Sequence, residues 1–229
     1  MDIQTVIKAI PGVTEPQAEK LCRYYEMLMD WNSRMNLTAI TGEDEVLKKH
    51  FADSLLPMAL VPEGARCIDV GTGAGFPGVP ILIARPDIRC VLLDSLNKRL
   101  TFLQAVLAEL GLQARAKLVH ARAEDGGRMD ALRGGFDVAL TRAVAPAAVA
   151  LEWTIPFLKV GGASLLYKGA KAEEELSDAQ HALSVLHARA ELAHYDAPWG
   201  ARYVIAAQKL EKTPREYPRK AGTAAKKPL

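Results

Sequence analysis

Behind Thr14-Glu15-Pro16-Gln17, which has the form of a capping box, Ala18, Leu21, Tyr25 and Leu28 recur at three- and four-residue intervals. That period predicts an amphipathic helix with one apolar stripe. The pattern breaks over residues 37–41 and restarts at Thr41-Gly42-Glu43-Asp44, ahead of Val46, Leu47, His50, Phe51, Ser54 and Leu55. Pro57, Pro62 and Gly64 then punctuate the chain. Residues 1–62 therefore read as an N-terminal helical extension.

From Arg66 the period shortens, and strand-like runs alternate with helical ones. The strands are expected at residues 66–70, 89–94, 116–120, 136–140, 163–167, 191–195 and 203–208. Helices are expected at 77–84, 97–110, 146–158 and 172–186, the second and third closed by Gly111 and Gly161. Alternation of this kind predicts an α/β fold with a seven-stranded, mostly parallel sheet covered on both faces, occupying residues 63–210.

A chain of 229 residues has room for one large domain and a smaller appendage. It holds no apolar run of membrane-spanning length, and Met1-Asp2-Ile3-Gln4 lacks the basic and apolar regions of a secretion signal. The expectation is a soluble cytoplasmic protein without a membrane partner. Cys22, Cys67 and Cys90 share no metal-like spacing and read as buried thiols, so no metal is expected.

The formal charge is only +2, but it is unevenly placed. Residues 209–229 carry seven Lys or Arg against Glu211 and Glu216, a net +5 that leaves −3 for the rest. With Pro214, Pro218 and Pro228 interrupting it, residues 211–229 read as an extended basic arm able to meet nucleic acid, with Tyr217 available to stack. A solvated tail without a target is the other reading.

The candidate chemistry begins where the first strand, Arg66 to Val70, runs into Gly71-Thr72-Gly73-Ala74-Gly75-Phe76-Pro77-Gly78. Glycines at 71, 73 and 75 permit positive φ and a close approach of backbone N–H groups to a ligand. Gly73-x-Gly75-x-x-Gly78 satisfies a dinucleotide fingerprint, whereas Asp69-x-Gly71-x-Gly73-x-Gly75 satisfies the acidic-first loop of S-adenosylmethionine enzymes. Asp69 favours the second, because a carboxylate there attracts an ammonium and a sulfonium and repels a diphosphate. Capping of the loop's own N–H groups by Asp69 is the alternative.

Open α/β sheets bind ligands beyond the carboxyl ends of their strands. Asp94, about twenty residues past the glycine loop, is placed to accept from ribose hydroxyls. Glu124 follows the third strand and Arg142 the fourth, lining the same crevice. Lys98, Arg99 and Lys168 lie near it and are candidate RNA contacts, with Arg215, Arg219 and Lys220 of the arm. His50, on the apolar stripe of its helix, reads as a core histidine.

Asn36-Leu37-Thr38, His50 to Leu55, Asp69 to Gly78, Asp94 to Arg99, Arg122-Ala123-Glu124, Thr141-Arg142-Ala143 and Thr213 to Lys220, in that order, resemble one family. It is the bacterial small-subunit rRNA guanine-N7 methyltransferase G family, also called glucose-inhibited division protein B, and the likeness runs from about residue 20 to the C-terminus. The resemblance implies a Rossmann-like class I methyltransferase fold, S-adenosylmethionine as donor, and N7 of a guanine in the 530 loop of 16S rRNA as acceptor, on the RNA or the small subunit. Carried over by position, it implies cofactor contacts at Gly71, Phe76, Asp94, Ser95, Leu96, Ala123, Glu124 and Arg142, to which the loop itself adds Asp69, Gly73 and Gly75. Thr141 stands where the family often has Ser, and Ala224-Ala225 replace a segment often richer in Pro and Lys.

The residues agree with that chemistry. Guanine N7 has an in-plane lone pair and no proton, so alignment and charge placement suffice without a general base. Arg142 is the candidate positioning residue. The Asn/Asp-Pro-Pro-aromatic tetrapeptide of exocyclic-amine methylation is missing, since Thr141-Arg142-Ala143 takes its place, and no cysteine nucleophile follows strand four or six. The rival readings are an NAD-dependent oxidoreductase and a non-enzymatic RNA-binding module.

Overall fold

The Val- and Leu-rich runs form the centre of a seven-stranded sheet in the computed structural model, which describes residues 1–229. The strands are β1 (Arg66–Val70), β2 (Arg89–Asp94), β3 (Ala116–His120), β4 (Phe136–Arg142), β5 (Leu158–Lys168), β6 (Ala188–Ala197) and β7 (Gly200–Lys209). They lie in the order β3-β2-β1-β4-β5-β7-β6. Strands β1 to β5 pair in parallel, and the β6–β7 hairpin joins antiparallel to β5. After their first residues, β1 and β2 are buried on both faces, whereas β6 at the edge is nowhere fully buried. Continuous apolar runs are what a doubly covered parallel strand requires.

Sequence order reverses between β1 and β4, so their carboxyl ends open the crevice at which doubly wound sheets take ligands. One face of the sheet is covered by helices Ile3–Ala9, Glu15–Met35, Gly78–Ala84 and Asn97–Glu109. Tyr24, Leu28 and Phe51 from the N-terminal extension share one apolar cluster with Phe102 and Leu103. The other face carries Ala147–Thr154, Ala172–Asp178 and Gln180–Val185, packed with Leu151, Phe157 and Ile205. Cys22, Cys67 and Cys90 are buried free thiols.

Several boundaries differ from expectation. Strands β5, β6 and β7 are longer than their apolar centres, because hairpin pairing extends into polar residues such as Arg189 and Arg202 that the pattern assigned to loops. The single helix expected over 172–186 divides at Ala179, where the backbone leaves the regular helical region. A short helix at Ala123–Gly126 carries too few residues to show a period.

The C-terminal segment departs most from its sequence reading. It is docked on the core instead of extended. Arg219 forms a two-pronged pair with fully buried Glu152, with Nη2 to Oε2 at 2.6 Å and Nε to Oε1 at 3.0 Å, and its backbone N–H reaches Oε1 at 2.7 Å. The Arg133 guanidinium donates to the carbonyls of Thr213, Pro214 and Tyr217. Charge counting could not reveal this, because Glu152 lies on a distant helix and Arg133 in a distant turn. Residues Thr223–Lys226 form a short helix where an unbroken extended arm was expected.

An Arg219→Ala substitution leaves Glu152 buried without its cation, which costs about 3 kcal/mol. Urea unfolding of the two proteins measures this; a difference below about 0.5 kcal/mol would mean the pair contributes no more than an exposed ion pair.

Candidate active site in the crevice beyond the central strands

Asp69, next to the last residue of β1, is wholly buried. Its Oδ2 accepts from the Thr72 hydroxyl at 2.7 Å and from the Gly78 N–H at 2.9 Å, while Oδ1 has no partner within the protein. The carboxylate thus ties both ends of the glycine loop together. Burial pushes its pKa up to about 6 against the two hydrogen bonds that lower it. The capping reading of Asp69 is therefore the one its contacts display.

The glycines divide by what surrounds them. Gly71, Gly73 and Gly75 all have positive φ (73°, 60° and 101°). A Cβ on Gly75 would stand 2.6 Å from the Tyr24 hydroxyl, and one on Gly71 2.7 Å from Val144. The Tyr24 hydroxyl donates to the Ala74 carbonyl, so the N-terminal extension braces the loop from behind. Gly75 is needed for that packing, whereas Gly71 borders the crevice.

A cavity of about 290 Å³ opens beside Gly71 and is lined by Asp94, Ser95, Arg99, Ala123 and Glu124. Asp94 reaches back to the loop: Oδ2 accepts from the Gly73 N–H at 2.9 Å, and Oδ1 from the Leu96 N–H at 2.9 Å. Oδ2 also takes the Arg99 guanidinium, whereas Oδ1 keeps a second lone pair, so Asp94 fits one additional hydroxyl donor there. Its neighbour Arg99 lies 3.3 Å from Oδ2 and lines this cavity. Leu96 itself is 43 % exposed and stands outside the lining.

Arg142 borders a second, larger cavity of about 570 Å³ with Asp53, Tyr167, Lys168, Arg202 and Tyr203. Val144 lines both, so the two cavities adjoin just beyond β4. The Arg142 guanidinium lies 5.1 Å from the Phe76 ring centre and donates to the Lys49 carbonyl at 3.0 Å and to Asp53 Oδ2 at 3.2 Å. Its Nη2 is 3.0 Å from His50 Nδ1. Since arginine only donates, Nδ1 accepts, and the Nε2 proton is directed at the Thr38 hydroxyl 2.9 Å away. Burial and the Arg142 charge push the His50 pKa down to about 4. His50 also stacks on Phe76 at 4.4 Å, so it is a satisfied, neutral histidine that aims Arg142.

Phe76 and Asp69, expected against the cofactor, are both buried; Phe76 stacks on Tyr24 and His50, and neither belongs to the smaller cavity's lining. The Lys168 side chain is 9 % exposed and lines the larger cavity, with Nζ on the Ala145 carbonyl at 2.7 Å and on Glu175 at 2.6 Å. Lys98, Arg215 and Lys220 are exposed, as RNA contacts require. Arg202 and Trp153 were missed. Arg202 enters through the hairpin and Trp153 through a buried helix, and neither carries a local pattern that sets it apart.

Asp69→Asn keeps a side chain of the same shape but removes the titration. The native carboxyl holds its proton above the unfolded pKa, so wild-type stability falls as pH rises from about 4 to about 6, by about 3 kcal/mol in full. Denaturant unfolding across that range should show a flatter profile in the variant, and parallel profiles would remove Asp69 as the source.

Comparison with known proteins adds relatives to this geometry. Residues 17–196 match the family described as "rRNA small subunit methyltransferase G". A Leuconostoc citreum protein named "Ribosomal RNA small subunit methyltransferase G" is 47 % identical over 239 residues, covering 100 % of both chains. One of the same name from Streptococcus thermophilus (strain CNRZ 1066) is 46 % identical over 222 residues, 95 % of this chain and 93 % of that one. In fold, the chain is similar to a putative O-methyltransferase from Klebsiella pneumoniae (TM-score 0.61, 16 % identity, covering 91 % of this chain and 96 % of that one). It is similarly close to an O-methyltransferase from Bacillus cereus in complex with SAH (TM-score 0.59, 16 % identity, covering 90 % and 96 %). With the family match spanning most of the chain and relatives near half identical over its whole length, this chain belongs to the rRNA small subunit methyltransferase G family.

Proposed function

We propose that this protein transfers a methyl group from S-adenosylmethionine to N7 of a guanine in the 530 loop of 16S rRNA, working in the cytoplasm on the RNA or the small ribosomal subunit. Family membership supports small-subunit rRNA as the substrate. The observation that carries the choice of acceptor atom is the state of the acids around the larger cavity. Only two carboxylates line it, and both are tied to cations: Asp53 to Arg142 and Arg202, and Glu175 to Lys168. The Tyr167 hydroxyl donates to the Ser54 carbonyl at 2.8 Å and its pKa lies well above the usual range. Neither these carboxylates nor Tyr167 is poised to remove a proton, and guanine N7 has none to remove.

The smaller cavity fits the donor, with Gly71 bare against it, Asp94 able to accept from hydroxyls, and Ser95, Ala123 and Glu124 along its wall. S-adenosylmethionine bound there supplies a methyl group on a positively charged sulfur. The protein's own part is to align the base and balance charge. Arg142, clamped by His50, Asp53 and Phe76, cannot swing away from the meeting point of the cavities, and this supports its role as the positioning residue. Asp53 lowers the net positive charge beside a base that becomes cationic. Lys98, Arg215 and Lys220 are proposed to hold RNA phosphate.

An oxidoreductase gains no support beyond the spacing Gly73-x-Gly75-x-x-Gly78. A Cβ on Gly78 would stand 2.5 Å from Leu92 and 2.8 Å from Asp69, so this glycine serves helix–strand packing, which either cofactor loop requires.

Incubation with labelled donor and 16S rRNA lacking the modification, followed by mass mapping, should place one methyl group on a guanine of the 530 loop; transfer to another nucleotide overturns the assignment. Arg142→Lys, which loses the fork that holds His50 and Asp53, should lower kcat/KM about 100-fold. Asp94→Ala should weaken S-adenosylhomocysteine binding by about 1–3 kcal/mol, and unchanged affinity takes Asp94 out of the site.

A further inference from the structure

The smaller cavity is not closed by the sheet and its loops alone. Gly222 and Ala225, from the C-terminal segment, complete its lining together with Trp153. The Gly222 N–H donates to Glu124 Oε1 at 2.8 Å, which joins the segment directly to an acid proposed to face the donor. Anchors lie on both sides of that contact. Arg219 is fixed on buried Glu152, Ala224 is wholly buried, and Leu229 packs against the apolar cluster beneath the sheet. The Trp153 indole Nε1 is buried with no hydrogen-bond partner within the protein, a donor without an acceptor in the residue that forms part of this wall.

We infer that the segment from Arg219 to Lys226 is part of the donor-binding site, so that binding of the S-adenosyl ligand and docking of the C-terminus strengthen each other. The inference rests on the methyltransferase reading of this cavity. Its physical basis is that Gly222 and Ala225 contribute wall surface only while the segment is docked. Undocking opens one side of the cavity to water and releases Glu124 from its backbone partner. Thermodynamic linkage then requires the reverse effect, in which an occupied cavity holds the segment down more firmly than an empty one. Net charge would assign this segment to RNA alone, whereas its contacts face two ways. Gly222 and Ala224 turn to the core, and Lys220, Lys226 and Lys227 remain exposed.

The test compares the full chain with one ending at Ala221, which keeps Arg219 on Glu152. Calorimetric titration with S-adenosylhomocysteine should give about tenfold weaker binding for the shortened chain. Hydrogen exchange at the Gly222 amide of the full chain should slow when the ligand is added. If the shortened chain does not fold, Ala225→Glu, which changes the wall but keeps every anchor, should show the same loss. Equal affinity in variant and full chain, with Gly222 exchange unaltered, overturns the role of the segment while leaving the donor assignment standing. A full chain that fails to bind S-adenosylhomocysteine overturns the donor assignment, and the inference with it.

Discussion

One buried carboxylate holds the functional end of this fold in shape. Asp69 sits near the end of β1 with no access to water and gathers the Thr72 hydroxyl and the Gly78 N–H onto a single oxygen. The loop between them has two glycines with positive φ, Gly73 and Gly75, so without that clamp its entropy would be large. Asp94 fixes the middle of the same loop through Gly73, and Tyr24 fixes its outer bend at Ala74. A glycine loop that is flexible by composition is thereby held from three directions. A ligand then meets backbone already in place, which reduces the ordering cost of binding.

The N-terminal extension belongs to this arrangement as much as the sheet does. Tyr24 stacks with Phe51 and Phe76, and His50 lies flat on Phe76 beneath Arg142. The extension therefore sets the position of the residue that borders the larger cavity. Asp53, from the same segment, accepts from Arg142 with one oxygen and from Arg202 with the other. Two guanidiniums side by side would repel in a partly buried crevice, and the carboxylate between them makes the cluster stable. A crevice of this kind suits an anionic polymer whose reacting base turns positive.

The same logic governs the basic C-terminus. A formal excess of positive charge says nothing about which cations are free. Arg219 is paired with Glu152, and Arg133 donates to carbonyls of the proline-rich segment. What is left for solvent or RNA is a smaller set of lysines and Arg215. Net charge is a property of composition, whereas the field a partner meets depends on which pairs the fold has already closed.

Much of the architecture was legible in the chain. The apolar runs ahead of Gly71 and Asn97, the capping box at Thr14 and the alternation after Arg66 specify a doubly covered sheet because burial on both faces demands unbroken apolar strands. The order of short motifs likewise pointed to a family, and to Asp94, Ser95, Ala123 and Glu124 along one wall. Tertiary structure alone decided the rest. It turned Asp69 inward as a clamp, stacked Phe76 on Tyr24 and His50, paired Arg99 with Asp94, and brought Gly222 and Ala225 into the cavity wall. Local periodicity records which side of an element is buried, but it carries no information on which distant partner arrives there. Arg219 and Glu152 are 67 residues apart, and only the packed sheet brings them together.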